Sequence, residues 1–403
     1  MDVGVGILAL AGVFQIAVML PQRVGQEDFH HYYAWSHMMQ AGANPYTANA
    51  APFYQQNGFL PFAPDTPHAT ATPLFLRVFS AIAWMPPRLA FAACAAAQVA
   101  SLVFILAATR RLLTGRLSQR GWWFVCAGAV LSPVVFWHFY ASHLELLMAA
   151  LMLAAYQWHR AGRHAAACVA ATVAGLMKLF PLMLVPWFVW RSAKDWRGRA
   201  RHAAWVLGAA GGIMALSGGA WWLDFFNDGL AVVREWAIRP QHFSYSVPSL
   251  IVTLNYVWHG MAPSPAAVAA GWQVAQASGL VVIGAACVAC CRRAGDAEAE
   301  FCLLTTAMLA SGGLVWGYYF VFLIFPAAVA AARVAARFTE RRLLALAIIL
   351  LLLNDVGTWS SGRGADNLYL KSLLNTPPIF GLLGLGVFFL GEQRAIKSSA
   401  QPA

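Results

Sequence analysis

Residues 27–35 read EDFHHYYAW, with acids, histidines and aromatics side by side. If residues 27–40 are helical, Asp28, His31, Tyr32 and Trp35 share one face. An acid at this point can cap the first amides and meet the positive end of the helix dipole. It can also serve chemistry, and with His30 and His31 it offers part of a metal shell, which three neighbouring ligands leave incomplete. Lys178 is the second conspicuous group. It stands in the apolar stretch AGLMKLFPLMLVPWFVW (174–190), and a lysine inside the bilayer is costly and functional by default. The bland alternative is a side chain that snorkels to the interface. His143 and Glu145 in SHLE (142–145) can hydrogen-bond a hydroxylated ligand or cap the helix that follows. Ser246 in HFSYSVPSL (242–250) reads in the same two ways, with Pro248 in the first turn. Tyr318 and Tyr319 in VWGYYFVF (315–322) can stack on a ligand or join an interfacial aromatic belt.

These groups are carried by an unusually apolar chain. Of 403 residues, 60% are hydrophobic and 11% charged, and the mean hydropathy is +0.60. A soluble domain carries roughly 25% charged residues. Apolar runs long enough to cross about 30 Å of hydrocarbon recur throughout, and in lipid such runs must be helical to satisfy their backbone. The composition therefore predicts an all-α polytopic membrane protein. Helices are expected near 3–20, 88–109, 121–138, 144–159, 164–177, 180–190, 203–223, 266–291, 299–316, 319–336, 343–356 and 373–390. The segments 164–177 and 180–190 are too short to span singly and are broken at Pro181, which predicts a hairpin of short or re-entrant helices. Residues 72–86 read as an interfacial segment. Residues 3–20 lack a basic flank and a small-x-small cleavage site, so they read as an uncleaved first helix.

Charge sets the expected topology. Eight basic residues (Arg23, Arg77, Arg88, Lys178, Arg234, Arg239, Arg363 and Lys371) fall on one side, which leaves 19 of the 27 for the short loops of the other. By the positive-inside rule the crowded side is cytoplasmic and both termini are inside. The net charge of +11 then marks topology, and no nucleic acid is needed to explain it. The long segments 21–87, with the Pro-rich aromatic loop FLPFAPD at 59–65, 224–265 and 355–372 face outward as loops of a single membrane domain spanning 1–403, with 391–403 as a cytoplasmic tail. The seven cysteines all lie in apolar segments and read as packing.

DFHHYYAWSHMMQAGANPY (28–46) resembles the first external loop of glycosyltransferase family eighty-seven, the polyprenol-phosphate-mannose-dependent mannosyltransferases of the GT-C membrane fold. Asp28, Tyr32, Gly42, Pro45 and Tyr46 match its pattern in place. AGLMKLFP (174–181) is similar to the family's Lys-x-x-Pro hairpin, and 72–86 followed by PRLAF fits a third region. The resemblance implies a GT-C-like bundle of about 10–13 spanning helices with a long first external loop.

It also implies roles. Asp28 matches the catalytic carboxylate, a general base for an acceptor hydroxyl. Lys178, with Arg234 behind it, would hold the donor phosphate. Glu27, His31, Tyr32, Asn44, Tyr46, His143, Glu145, His242, Ser246 and Tyr319 are the candidates for sugar or acceptor contacts. One base suffices for an inverting displacement, because phosphate leaves as a stable anion. No Asp-x-Asp pair or Gly-rich phosphate loop is present, so neither metal nor other cofactor is expected. The expected partners are a polyprenyl-phosphate sugar, a lipid-linked or envelope glycan acceptor and the bilayer. The same groove and charges would also suit a flippase of a lipid-linked saccharide, or an assembly subunit that does no chemistry.

Overall fold

The computed structural model describes residues 28–57, 69–240, 244–260, 262–292, 295–354 and 376–399. The expected first helix at 3–20, the loop FLPFAPD (59–65), Glu27, His242 and the outer segment 355–372 lie outside the described residues. The described chain is helical, with no strand and one isolated bridge between Ser244 and Trp316. Among the described residues three helices are long and apolar enough to cross a membrane: Pro87–Leu112, Pro265–Arg292 and Gly317–Ala336. The number rises to five if Gln119–Val130 with Pro133–Phe139, and Trp196–Leu216 with Gly219–Ala237, each count as one bent span. The chain is an all-α, multi-pass membrane protein. The helix expected at 121–138 is divided where Pro133 removes a backbone donor. Another is divided at Gly218, whose φ of +104° suits glycine alone.

The chain packs as two compact units, residues 1–108 with 136–234, and residues 109–135 with 235–403. In the first unit, α1 (Asp28–Gln40) packs along α3 (Pro73–Ala83), beyond the short α2 (Ala51–Gln56). Next come α4 (Pro87–Leu112), α5 (Gln119–Val130, of the second unit) and α6 (Pro133–Ala141). Then α7 (Glu145–Arg160) pairs with α8 (His164–Met177), and α8 meets α9 (Val185–Ser192) and α10 (Trp196–Leu216). The short apolar segment expected at 72–86 contains the helix α3. Its start is fixed twice: Thr72 Oγ1 accepts from the Phe75 amide at 3.2 Å and donates to the Met177 carbonyl at 2.9 Å. That second bond fastens the helix to the residue before Lys178.

The expected hairpin is present in a particular form. After Met177 the backbone becomes extended at Lys178, and Phe180–Leu184 form a 3₁₀ turn that folds back on α8. Gly175 makes this possible, since a Cβ there would stand 2.4 Å from Leu182 Cδ2. Beyond α10, the amphipathic stretch after residue 219 forms α11 (Gly219–Asp224), a π-helical turn and α12 (Leu230–Ala237).

In the second unit, α13 (Val247–Trp258) pairs with α14 (Pro265–Arg292), and α15 (Ala297–Ser311) packs against α14 and α18 (Pro377–Ser399). The 3₁₀ turn Gly317–Leu323 leads into α16 (Ile324–Ala336), and α17 (Glu340–Asn354) lies against α18. The last helix continues to Ser399, past the tail boundary expected at 391.

Candidate active site

Asp28 opens α1, where a carboxylate suits the helix dipole. Its Oδ2 lies 2.5 Å from His143 Nε2, and its side chain keeps 41% of its surface exposed. His143 precedes α7 in a turn shaped by Ser142, whose φ of +55° is rare outside glycine. That turn directs two alternate residues, His143 and Glu145, to the same interior. His143 Nδ1 is hydrogen-bonded to the Tyr32 hydroxyl at 2.9 Å and stands 3.6 Å from Glu145 Oε2. Glu145 is fully buried, and Lys178 Nζ donates to its Oε1 at 2.5 Å. The Lys178 side chain remains 26% exposed.

Four residues from three distant stretches thus form one chain of contacts, from Asp28 through His143 and Glu145 to Lys178. Its two ends reach solvent and its middle does not. Burial pushes the Asp28 carboxyl up, but the charge and hydrogen bond of His143, followed by His31 and Lys178, more than reverse this. Asp28 is held below the ordinary aspartate value and is a carboxylate at neutral pH.

A second layer supports the first. His138 is fully buried. It accepts the Leu146 amide at Nε2 (3.0 Å), so its proton is on Nδ1, facing Gln98 Oε1 at 3.0 Å. Gln98 in turn donates to Cys94 Sγ at 3.3 Å. Sequence reasoning passed over His138 and Gln98, although each is a lone polar residue in an apolar run, the signal that singled out Lys178.

The other expected contacts divide. His31 stacks on Trp35, with centroids 5.4 Å apart, and its Nδ1 pairs with the Tyr54 hydroxyl at 2.5 Å. Burial and the neighbouring His30 lower His31 to about 4, against the pull of Asp28. Asp28 therefore turns to His143 while His31 turns to Tyr54, and the three-residue metal reading fails on geometry. Among the described residues no group of three or more His, Cys, Asp or Glu is arranged to hold a metal.

Tyr32 is buried against Phe75 and reaches His143, so it braces that imidazole. Tyr46 is fully buried and its hydroxyl donates to the Ala71 carbonyl. Asn44 accepts the Tyr46 amide and donates to Asp224 Oδ2 at 2.7 Å. Both hold the loop, and Gly42 (φ +75°) makes its turn. Burial likewise moves His143 and Glu145 from sugar contacts to internal partners of Asp28 and Lys178. Arg234 is exposed on α12 and has no ion pair among the described residues.

Ser246 and Tyr319 belong to the second unit. Ser246 is fully buried as the N-cap of α13, accepting the Ser249 amide at 3.2 Å, so the capping reading holds. Tyr319 is buried in the 3₁₀ turn, with its ring centroid 5.0 Å from that of Tyr318.

Comparison with known proteins bears on this arrangement. The model of glycosyltransferase family 87 matches residues 70–315, more than half of the chain. The chain belongs to this family and is a membrane glycosyltransferase, as its motifs implied. The matched span contains His143, Glu145 and Lys178 and begins after Asp28. No curated protein matches. Two solved structures of ArnT from Cupriavidus metallidurans are similar at low identity. The form bound to undecaprenyl phosphate is 18% identical, with a TM-score of 0.40, over 98% of this chain and 78% of that one. The apo form is 18% identical, with a TM-score of 0.37, over 96% and 76%.

Proposed function

We propose that the chain transfers a sugar, mannose by its family resemblance, from a polyprenyl phosphate to a hydroxyl of a lipid-linked or envelope glycan. The reaction takes place on the outer face of the membrane, the side that carries few basic loops. The acceptor oxygen attacks the anomeric carbon and its proton passes to Asp28. The bond from that carbon to the phosphate oxygen breaks, and its electron pair leaves with the phosphate, beside Lys178. A single displacement inverts the centre, so a β-linked donor gives an α product.

The observation that supports this reading is the contact chain that joins a half-exposed carboxylate to a partly exposed ammonium across 150 residues of sequence. An acid that served only as a cap would not need an ion-paired lysine three contacts away.

The test is transfer by purified protein in lipid, from a panel of radiolabelled polyprenyl-phosphate sugars to crude envelope acceptors. Asp28→Asn is run beside the wild type. Loss of transfer with donor binding retained is expected, by roughly 10²–10⁴-fold for a general base. Binding without transfer in either protein would instead favour a carrier of lipid-linked saccharide. Full activity in Asp28→Asn would remove the base.

A further inference from the structure

Glu145 is the buried charge that the proposed reaction does not use. It is 0% exposed, and its Oε2 has no hydrogen-bond donor among the described residues. Two imidazoles face that oxygen, His138 Nε2 at 3.5 Å and His143 Nδ1 at 3.6 Å. His138 cannot serve as donor, because its Nε2 already accepts the Leu146 amide. Glu145 is therefore held between Lys178 on Oε1 and His143 on the side of Oε2, and His143 is also the partner of Asp28. Glu145 thus touches Lys178 directly and Asp28 through His143. A lysine ammonium carries three donors, and Glu145 takes one of them.

Building on the function proposed above, we infer that Glu145 is a positioning residue. It fixes the Lys178 ammonium where a donor phosphate meets it, and through His143 it sets the span between that ammonium and Asp28. A sugar phosphate has a fixed distance between its anomeric carbon and its phosphate oxygens, so base and cation must be held at a matching separation. A buried carboxylate shared by both, backed by His138 and Gln98, does this without touching substrate.

The experiment compares Glu145→Gln, Glu145→Asp, Lys178→Met and the double variant Glu145→Gln/Lys178→Met in lipid nanodiscs. It measures donor KM, kcat and Tm. Losing a charge-assisted hydrogen bond to Lys178 should raise donor KM by roughly 10–100-fold in Glu145→Gln, and Glu145→Asp should recover part of it. In the Lys178→Met background, Glu145→Gln should leave KM unchanged and raise Tm, because it removes a buried carboxylate that has lost its cation.

A Glu145→Gln protein with fewer active molecules but unaltered KM would overturn the inference and leave Glu145 a plain core residue. So would a full additional KM loss in the Lys178→Met background. If no polyprenyl-phosphate sugar turns over in the wild type, the functional reading falls. The Tm cycle then decides the pairing alone: strongly non-additive shifts uphold it and additive shifts overturn it.

Discussion

Replacing Gly175 by alanine should disable the enzyme far more than it destabilises the fold. A Cβ at 175 would stand 2.4 Å from Leu182 Cδ2, 2.7 Å from Leu182 Cγ and 3.0 Å from the Leu182 amide nitrogen. Rotation about χ1 can carry Cδ2 and Cγ away, but the backbone nitrogen moves only if the 3₁₀ turn opens. Two effects oppose each other in stability. Alanine is the better helix former by about 1 kcal/mol, and overpacking costs roughly 1–3 kcal/mol. The net is a loss of about 0–2 kcal/mol, or a few degrees in Tm for a unit of this size.

Activity has no such compensation. Lys178 stands three residues after Gly175, at the break itself, and a displacement of about 1 Å in a catalytic arrangement can cost on the order of 10²-fold. The assay pairs melting in detergent with sugar transfer for Gly175→Ala, Leu182→Ala and the double variant. The two sites should couple by roughly 0.5–3 kcal/mol, because trimming Leu182 makes room for the new methyl group. A Gly175→Ala protein that melts above wild type and transfers at full rate would refute the reasoning. The turn would then not close against Gly175, and the placement of Lys178 would owe nothing to it.

Two further perturbations probe stability away from the reaction. His31 is lowered from 6.5 to about 4 by burial and by His30, so the folded state binds its proton less readily than the unfolded chain. The stability this gives is complete above pH 6.5 and is lost as pH falls toward 4, on the order of 2–3 kcal/mol at most. Melting curves at pH 7 and pH 4.5 should show that loss, and His31→Gln should flatten it; an unchanged slope would contradict the assignment. In the second unit, Arg333 Nη2 donates to Asp296 Oδ2 at 2.5 Å and Glu298 Oε1 at 3.0 Å, with Glu392 Oε2 at 3.9 Å from Nη1. Arg333→Met should cost about 2–4 kcal/mol, less than a fully orphaned buried pair. Arg116 still reaches Glu298, and Arg342 still reaches Glu392. A melt within a degree of wild type would show that those two cations suffice.

The two ends of the contact chain were legible in the sequence because each breaks a local rule. Asp28 is an acid beside histidines after an apolar run, and Lys178 is a charge where charge is costly. The middle was not legible, for a geometric reason. His143 and Glu145 are two residues apart, a spacing that on a helix sends side chains to different faces. They converge only because His143 precedes the helix and Ser142 adopts left-handed backbone, which a serine does not advertise. His138 and Gln98 meet across 40 residues, and no periodicity reports that contact.

The matching residues that proved to be scaffold carry the complementary lesson. Tyr46 fits the external-loop pattern as well as Asp28 does, yet its hydroxyl is spent on Ala71 and its amide on the neighbouring Asn44, which also donates to Asp224. A motif in this loop therefore records two requirements at once, the open group proposed to meet substrate and the groups that fix where the loop leaves the helix. Burial separates them. Asp28 is the matched polar residue whose side chain stays open, while Tyr32 and Tyr46 are closed. If substitution at Tyr46 acts through the loop, Tyr46→Phe should lower stability by about 1 kcal/mol for its hydrogen bond, roughly 2–4 °C in Tm, and leave donor KM unchanged. A selective change in KM at constant Tm would return Tyr46 to the binding surface.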